Sequence, residues 1–213
     1  MHGKGIAPET AAREAQILGE GPRIALIAPE DLPQEESGGI RDFLYQMAVT
    51  RDPDAQQSDD VPGILPLMMR HPDLFRLQVS LGVQLLVDGA LPARTREIAI
   101  LRVAWLCGAP YEWGEHVGFA KMAGVTGEEI ERIIAGPDAP GWSAADRAVL
   151  RAVEELRADA MISDATWAVL AETLDERQLI ELPIVIGQYQ AVAFYQNALR
   201  LPLHPGSLGL KAR

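Results

Sequence analysis

The fold of this chain turns on residues 92–124, PARTREIAILRVAWLCGAPYEWGEHVGFAKMAG. Pro92 suits the first turn of a helix, where its missing N–H would have no intrahelical partner anyway. From there the spacing predicts a helix to about Cys107, with Glu97 sharing one face with Ile100, Leu101 and Ala104 at offsets of three, four and seven. Cys107-Gly108-Ala109-Pro110 breaks that helix. A second one starts at Pro110 or Tyr111, carries Glu112, His116, Phe119 or Ala120, and Ala123 on one face, and ends on Gly124 as a C-terminal cap. Two antiparallel helices joined by so short a turn can bring Glu97 close to the Glu112/His116 pair.

Glu112 and His116 are four residues apart, so on a helix they stand one turn apart on one face. A carboxylate beside an imidazole suits general acid–base work near neutral pH, because the carboxylate can tune and orient the ring. The plainer reading is a surface ion pair. A carboxylate on an apolar stripe, as Glu97 is, loses solvation, and that favours its proton-carrying form. Arg94, Arg96 and Arg102 lie next to Glu97. They either hold an anionic group or form salt bridges along the helix.

Outward from this pair, nearly everything from Ile64 onward reads helical. Thr126 with Glu129 makes a capping box before Ile130, Ile133 and Ile134. Ser143 opens a helix from Ala144 to Arg157, Ser163 or Asp164 caps the next, and Asp175 with Gln178 caps a last, long one reaching Leu199. Pro183 interrupts this last run, which is apolar almost all round, so a kinked, buried helix is expected, with Gln188, Tyr189, Tyr195 and Asn197 as polar exceptions. No strand alternation or hairpin signal appears. The fold class is all-α, a helical bundle with an N-terminal arm.

Residues 1–39 read as that arm, with a short helix and an Ile24–Ile27 patch that could wrap a neighbouring subunit. A helix is expected over Ile40–Thr50, followed by a polar loop from Arg51 to Asp60. The main domain spans 40–203 and the tail 204–213. At 213 residues the chain can bury a sizeable core. No uninterrupted apolar run reaches the roughly 18 residues of a membrane span, and the N-terminus lacks a secretory pattern. A single cysteine, Cys107, forbids an internal disulfide and fits a cytoplasmic protein. A net charge of −11 with no basic stripe argues against nucleic acid.

No nucleotide-binding glycine motif accompanies these residues. Glu97, Glu112 and His116 could supply three metal ligands, but no paired Glu-x-x-His occurs on two helices. His71, beside Pro72, reads as a surface or capping residue, and His204 lies in the Pro-rich tail. Neither a metal nor a cofactor is expected.

The stretches Leu91–Glu97, Ala99–Ala104, Tyr111-Glu112-Trp113-x-x-His116, Ala120 and Gly124–Ile130 together resemble the carboxymuconolactone decarboxylase family, which shares its fold with the alkylhydroperoxidase D-type proteins. The resemblance covers roughly residues 65–200. The peroxidase branch pairs a Glu with Cys-x-x-Cys and a His four residues after the second cysteine. Here the Glu and His positions fall on Glu97 and His116, while the thiol positions fall on Ala109 and Glu112. Thiol peroxidase chemistry needs both sulfurs, one to attack and one to resolve, so it is not expected.

The resemblance implies a carboxy-lyase-like enzyme of aromatic catabolism, assembled as a trimer or hexamer. The catalytic candidates are His116 as proton donor or shuttle, Glu112 holding its tautomer, and Glu97 as a second acid or base. Arg94 or Arg96 would hold a substrate carboxylate, with Tyr111, Trp113 and Tyr189 as further substrate-binding candidates. The substrate class is a small cyclic, carboxylated molecule. The same site could instead run an isomerisation, hydration or ring opening, and a helical oligomer that binds a ligand without catalysis is the reading from another class.

Overall fold

The computed structural model describes residues 7–33 and 64–213; the expected helix over 40–50 and the loop after it lie outside them. Among the described residues there is no β-strand. The helices are α1 (Pro8–Leu18), α2 (Ile64–Met68), α3 (Pro72–Leu86), α4 (Ala93–Cys107), α5 (Pro110–Met122), α6 (Gly127–Ala135), α7 (Ala144–Asp159), α8 (Asp164–Ala171) and α9 (Glu176–Leu199), with 3-10 turns at Pro29–Asp31 and Gly209–Lys211.

Local chemistry sets most of these ends. Pro92 precedes α4 as its cap, and Gly108 terminates it in the left-handed region at φ 56°. The Thr126–Glu129 and Asp175–Gln178 capping boxes both form, and Ser143 and Ser163 cap α7 and α8 through their side chains. His71 caps α3, its Nδ1 accepting the Leu74 N–H at 3.4 Å.

Helix α4 is the axis of the bundle. Ile98, Ala99, Ile100, Leu101, Val103 and Ala104 are all buried, because α5, α6, α7 and α9 pack around it. Helix α9 departs from expectation. It runs as one continuous element through Pro183, and only the side carrying Leu182, Val185, Ile186, Tyr189, Ala193 and Gln196 is buried. Ile180, Ile184 and Phe194 face outward at 65%, 46% and 61% exposure. The helix lies at the margin of the described bundle, so its second apolar face meets no neighbour among the described residues.

A second apolar cluster joins Leu32, Ile64, Leu65, Leu67, Met69, Phe75, Tyr111 and Leu201. The arm binds its own chain there: the Ile27 N–H donates to the Pro66 carbonyl and the Arg23 N–H to the Leu199 carbonyl, each at 3.0 Å. The tail folds back onto α5. Its 3-10 turn buries Leu210, whose N–H donates to Glu14 of α1 at 2.6 Å.

Candidate active site

The two central helices bring the sequence's acid–base candidates into the interior. Glu181 of α9 accepts the Ala90 and Leu91 N–H groups at 2.7 and 3.0 Å, which fixes the chain just ahead of α4. One and a half turns into α4, Glu97 is fully buried. Its Oε1 accepts Arg96 Nε–H at 3.1 Å, and its Oε2 lies 2.8 Å from His116 Nδ1 on α5. With Arg96 donating to one oxygen, the other accepts the Nδ1–H of His116. The neutral imidazole then has its Nε2 lone pair free for a proton.

This geometry reassigns one role. Glu112 was expected to set the tautomer of His116, but Glu97 does so, from the neighbouring helix. A partner across the helix pair meets the ring nitrogen directly, whereas one turn along α5 the Glu112 side chain points elsewhere. Glu112 is 1% exposed, and neither of its carboxyl oxygens has a hydrogen-bond partner among the described residues. Burial therefore pushes its pKa well above 4.5 and favours its protonated form.

The rings follow from packing. Tyr189 of α9 meets His116 edge-on, with centroids 4.8 Å apart, and Phe119, one turn along α5, lies 5.5 Å from it. The Tyr189 phenol is pushed well above its usual range by burial first, then by the Glu97 and Glu112 carboxyls. Tyr195 is raised by burial and by Glu112, and the Cys107 thiol is raised by burial first, with Glu112 also pushing it up, so the Glu112 carboxyl is within electrostatic reach of both phenols and the thiol.

The remaining candidates separate. Arg94 is taken up elsewhere: its Nη groups donate to Glu129 at 2.7 and 3.2 Å, to Asp146 at 3.1 Å and to the Gly124 carbonyl at 3.3 Å. Arg102 donates to the Ile133 and Ile134 carbonyls and to Glu154, tying α4 to α6 and α7. Arg96 stays at the site with a side chain 13% exposed, and only its Nε has an acceptor among the described residues. Trp113 is fully buried, and its Nε1–H donates to the Ala212 carbonyl at 3.0 Å, so it is part of the core beneath the tail. Tyr111 packs in the second cluster, its hydroxyl 2.7 Å from His204 Nε2.

Sequence reasoning noted Tyr195 only as a polar exception on α9. Its signal was an isolated hydroxyl in an apolar run, six residues after Tyr189. No group of three or more His, Cys, Asp or Glu side chains arranged to hold a metal ion occurs among the described residues. No described helix is long and apolar enough to cross a membrane.

Residues 72–155 match the carboxymuconolactone decarboxylase family, and the resemblance read from the sequence is thereby shown over that segment. No curated protein matches the chain. Among solved structures, it is similar to an alkylhydroperoxidase AhpD core, a peroxidase-related protein of Ralstonia eutropha, with a TM-score of 0.68 at 14% identity, covering 86% of this chain and 92% of that one. A peroxidase-related protein of Silicibacter sp. gives 0.67 at 15%, covering 87% and 95%. The debrominase Bmp8, solved with 2,3,4-tribromopyrrole, gives 0.64 at 17%, covering 86% and 94%. The fold is that of the AhpD-like helical proteins.

Proposed function

We propose that this chain is a cofactor-independent general acid–base enzyme of the carboxymuconolactone decarboxylase type, acting on a small cyclic carboxylated molecule. The observation that carries the proposal is the buried Glu97–His116 hydrogen bond together with an equally buried Glu112 that has no hydrogen-bond partner among the described residues. A surface ion pair, the plainer alternative, would face solvent, and all three of these residues are at most 6% exposed.

Arg96 holds the substrate carboxylate, and the bond from that carboxylate to the ring breaks. Its electron pair moves into a conjugated carbonyl, giving an enolate and CO₂. The neutral Glu112 carboxyl protonates the enolate carbon, and His116 restores that proton from solvent while Glu97 keeps its ring oriented. One proton is consumed for each CO₂ released, so atoms and charge balance without a redox partner.

The test is CO₂ release from an unsaturated γ-lactone carboxylate in D₂O. The wild type should place one deuterium on the carbon that lost CO₂. His116→Gln should turn over on the order of a hundredfold more slowly, with KM little changed. Full turnover by the folded His116→Gln variant would remove His116 from the mechanism.

The assembly belongs to the same proposal. Ile180, Ile184, Gly187, Ala191 and Phe194 recur on the exposed face of α9 at alternating steps of four and three. That is the spacing of a helix–helix seam, with small residues at its centre where backbones can approach. A second copy of this chain would cover it.

A further inference from the structure

Helix α4 begins without the help a helix usually finds in its own sequence. Its cap position is Pro92, no side-chain cap bond forms there, and its first turn carries no acid. Arg94 stands in that turn instead, a cation at the positive end of the helix dipole. The cap comes from another helix. Glu181 of α9 accepts the Ala90 N–H on Oε2 at 2.7 Å and the Leu91 N–H on Oε1 at 3.0 Å. Gln178, one turn earlier on α9, donates from Nε2 to the Ala90 carbonyl at 3.1 Å. The approach is close. A Cβ on Gly89 would stand 2.6 Å from Glu181 Oε1 and 2.6 Å from the Leu85 carbonyl oxygen.

The same two helices are tied again at the far end. Asn197 of α9 donates from Nδ2 to the Cys107 carbonyl at 3.1 Å. That carbonyl is among the last four of α4, which a helix leaves without an internal partner. From Leu91 to Cys107 and from Glu181 to Asn197 the chain advances sixteen residues, about 24 Å at the helical rise in each case. Ties of equal span on helices running the same way leave one register. Between the ties, Tyr189 of α9 meets the His116 ring edge-on, and Glu97 of α4 bonds Nδ1 of that ring. The depth of Glu97 and the wall beside His116 are therefore set by one clasp. A slip of one residue would turn Glu97 about 100° around α4, away from the imidazole.

Resting on the acid–base reading above, we infer that Glu181 is a positioning residue for the Glu97–His116 pair. It acts through the backbone ahead of α4. By capping α4 from α9 it fixes where Glu97 meets His116, and with that the Nδ1–H tautomer that leaves Nε2 open for a proton. The contact needs an acceptor on each of two oxygens. A glutamine there has the same shape but turns an amide N–H toward one of the two backbone donors.

The test uses the full chain without ligand, labelled with nitrogen-15 in its histidines. The His116 signals are assigned by their loss in His116→Gln. Ring nitrogens with and without a proton resonate far apart, so the spectrum reads the tautomer directly. The wild type should show His116 protonated on Nδ1, with a proton that exchanges slowly with water. In Glu181→Gln that exchange should quicken about tenfold or more, because a backbone donor loses its acceptor and the start of α4 opens more often. Gln178→Glu keeps the capping box with Asp175 and loses the Ala90 contact, and it should move the same signal the same way by less. That variant carries the test if Glu181→Gln does not fold. Glu155→Gln is the control. It weakens the α7–α8 junction, where Glu155 accepts from Ser163 and Thr166, so it should lower the melting temperature and leave the His116 signal in place. A signal unmoved in both clasp variants, or moved as far in Glu155→Gln, overturns the inference and leaves the acid–base reading standing. A wild type protonated on Nε2 instead overturns both.

Discussion

Glu112 is where the site's chemistry can be read from stability as well as from turnover. Its folded-state pKa is raised above the ordinary 4.5 by burial. The folded chain therefore keeps a proton that the unfolded chain gives up above that pH. A raised pKa makes the contribution to stability full below pH 4.5 and progressively lost as pH rises toward the folded value. Glu112→Gln supplies a neutral side chain of the same shape with no such dependence. The expected outcome is a variant whose melting temperature exceeds that of the wild type by a margin that widens from pH 5 to pH 8 and vanishes near pH 4.5. Melting curves across that range check it; a constant margin would mean that Glu112 is ionised in the folded protein. Nothing in the residue's own neighbourhood in sequence announced this, because its isolation depends on α4 and α9 closing over it.

At the scale of elements, helix caps and short breaks position the two helices that carry Glu97 and His116. The start of α6 shows how. Thr126 accepts the Glu129 N–H at 3.2 Å, and Glu129 returns to the Thr126 N–H at 2.8 Å while also pairing with Arg94 of α4. Thr126→Ala should cost about 1 kcal/mol, read by denaturant unfolding. The Arg94 guanidinium first, and then the Thr126 contacts, hold the Glu129 carboxyl down at about 2 against the upward push of burial. A depressed pKa contributes stability above the ordinary 4.5 and loses it as pH falls toward 2. Glu129→Gln should therefore be less stable than the wild type at pH 7, with the gap closing below pH 4.5 in acid titrations of unfolding. These boxes were legible in the sequence because a cap acts over three residues and needs no distant partner.

For the molecule as a whole, the unresolved balance of apolar surface lies on α9. Its outer stripe of Ile180, Ile184 and Phe194 stays largely exposed among the described residues. Light scattering should return a mass above the 23.2 kDa of one chain, and Ile184→Glu with Phe194→Glu should lower it toward that value. A monomeric wild type would show that the stripe serves something else. The same helix carries Tyr189 and Tyr195 inward, so an interface on its outer face would stiffen the wall of the site without supplying residues to it.

What the sequence determined by itself was local or periodic: the all-α class, the ends of α4 through α9, the capping boxes, and the placing of Glu97, Glu112 and His116 on two helices joined by a four-residue break. Those features depend on spacings of three and four and on Pro and Gly backbone limits, and both are properties of a short stretch of chain. Only the tertiary structure decided that His116 pairs with Glu97 and that Glu112 has no hydrogen-bond partner among the described residues. It also decided that Arg94 is consumed by α6 and α7 while Arg96 stays against Glu97, that Trp113 lies in the core under a folded-back tail, and that among the described residues α9 is buried on one side only. Each of these depends on which elements pack against which, and the free energy of a buried charge or hydroxyl is set by neighbours far away in sequence.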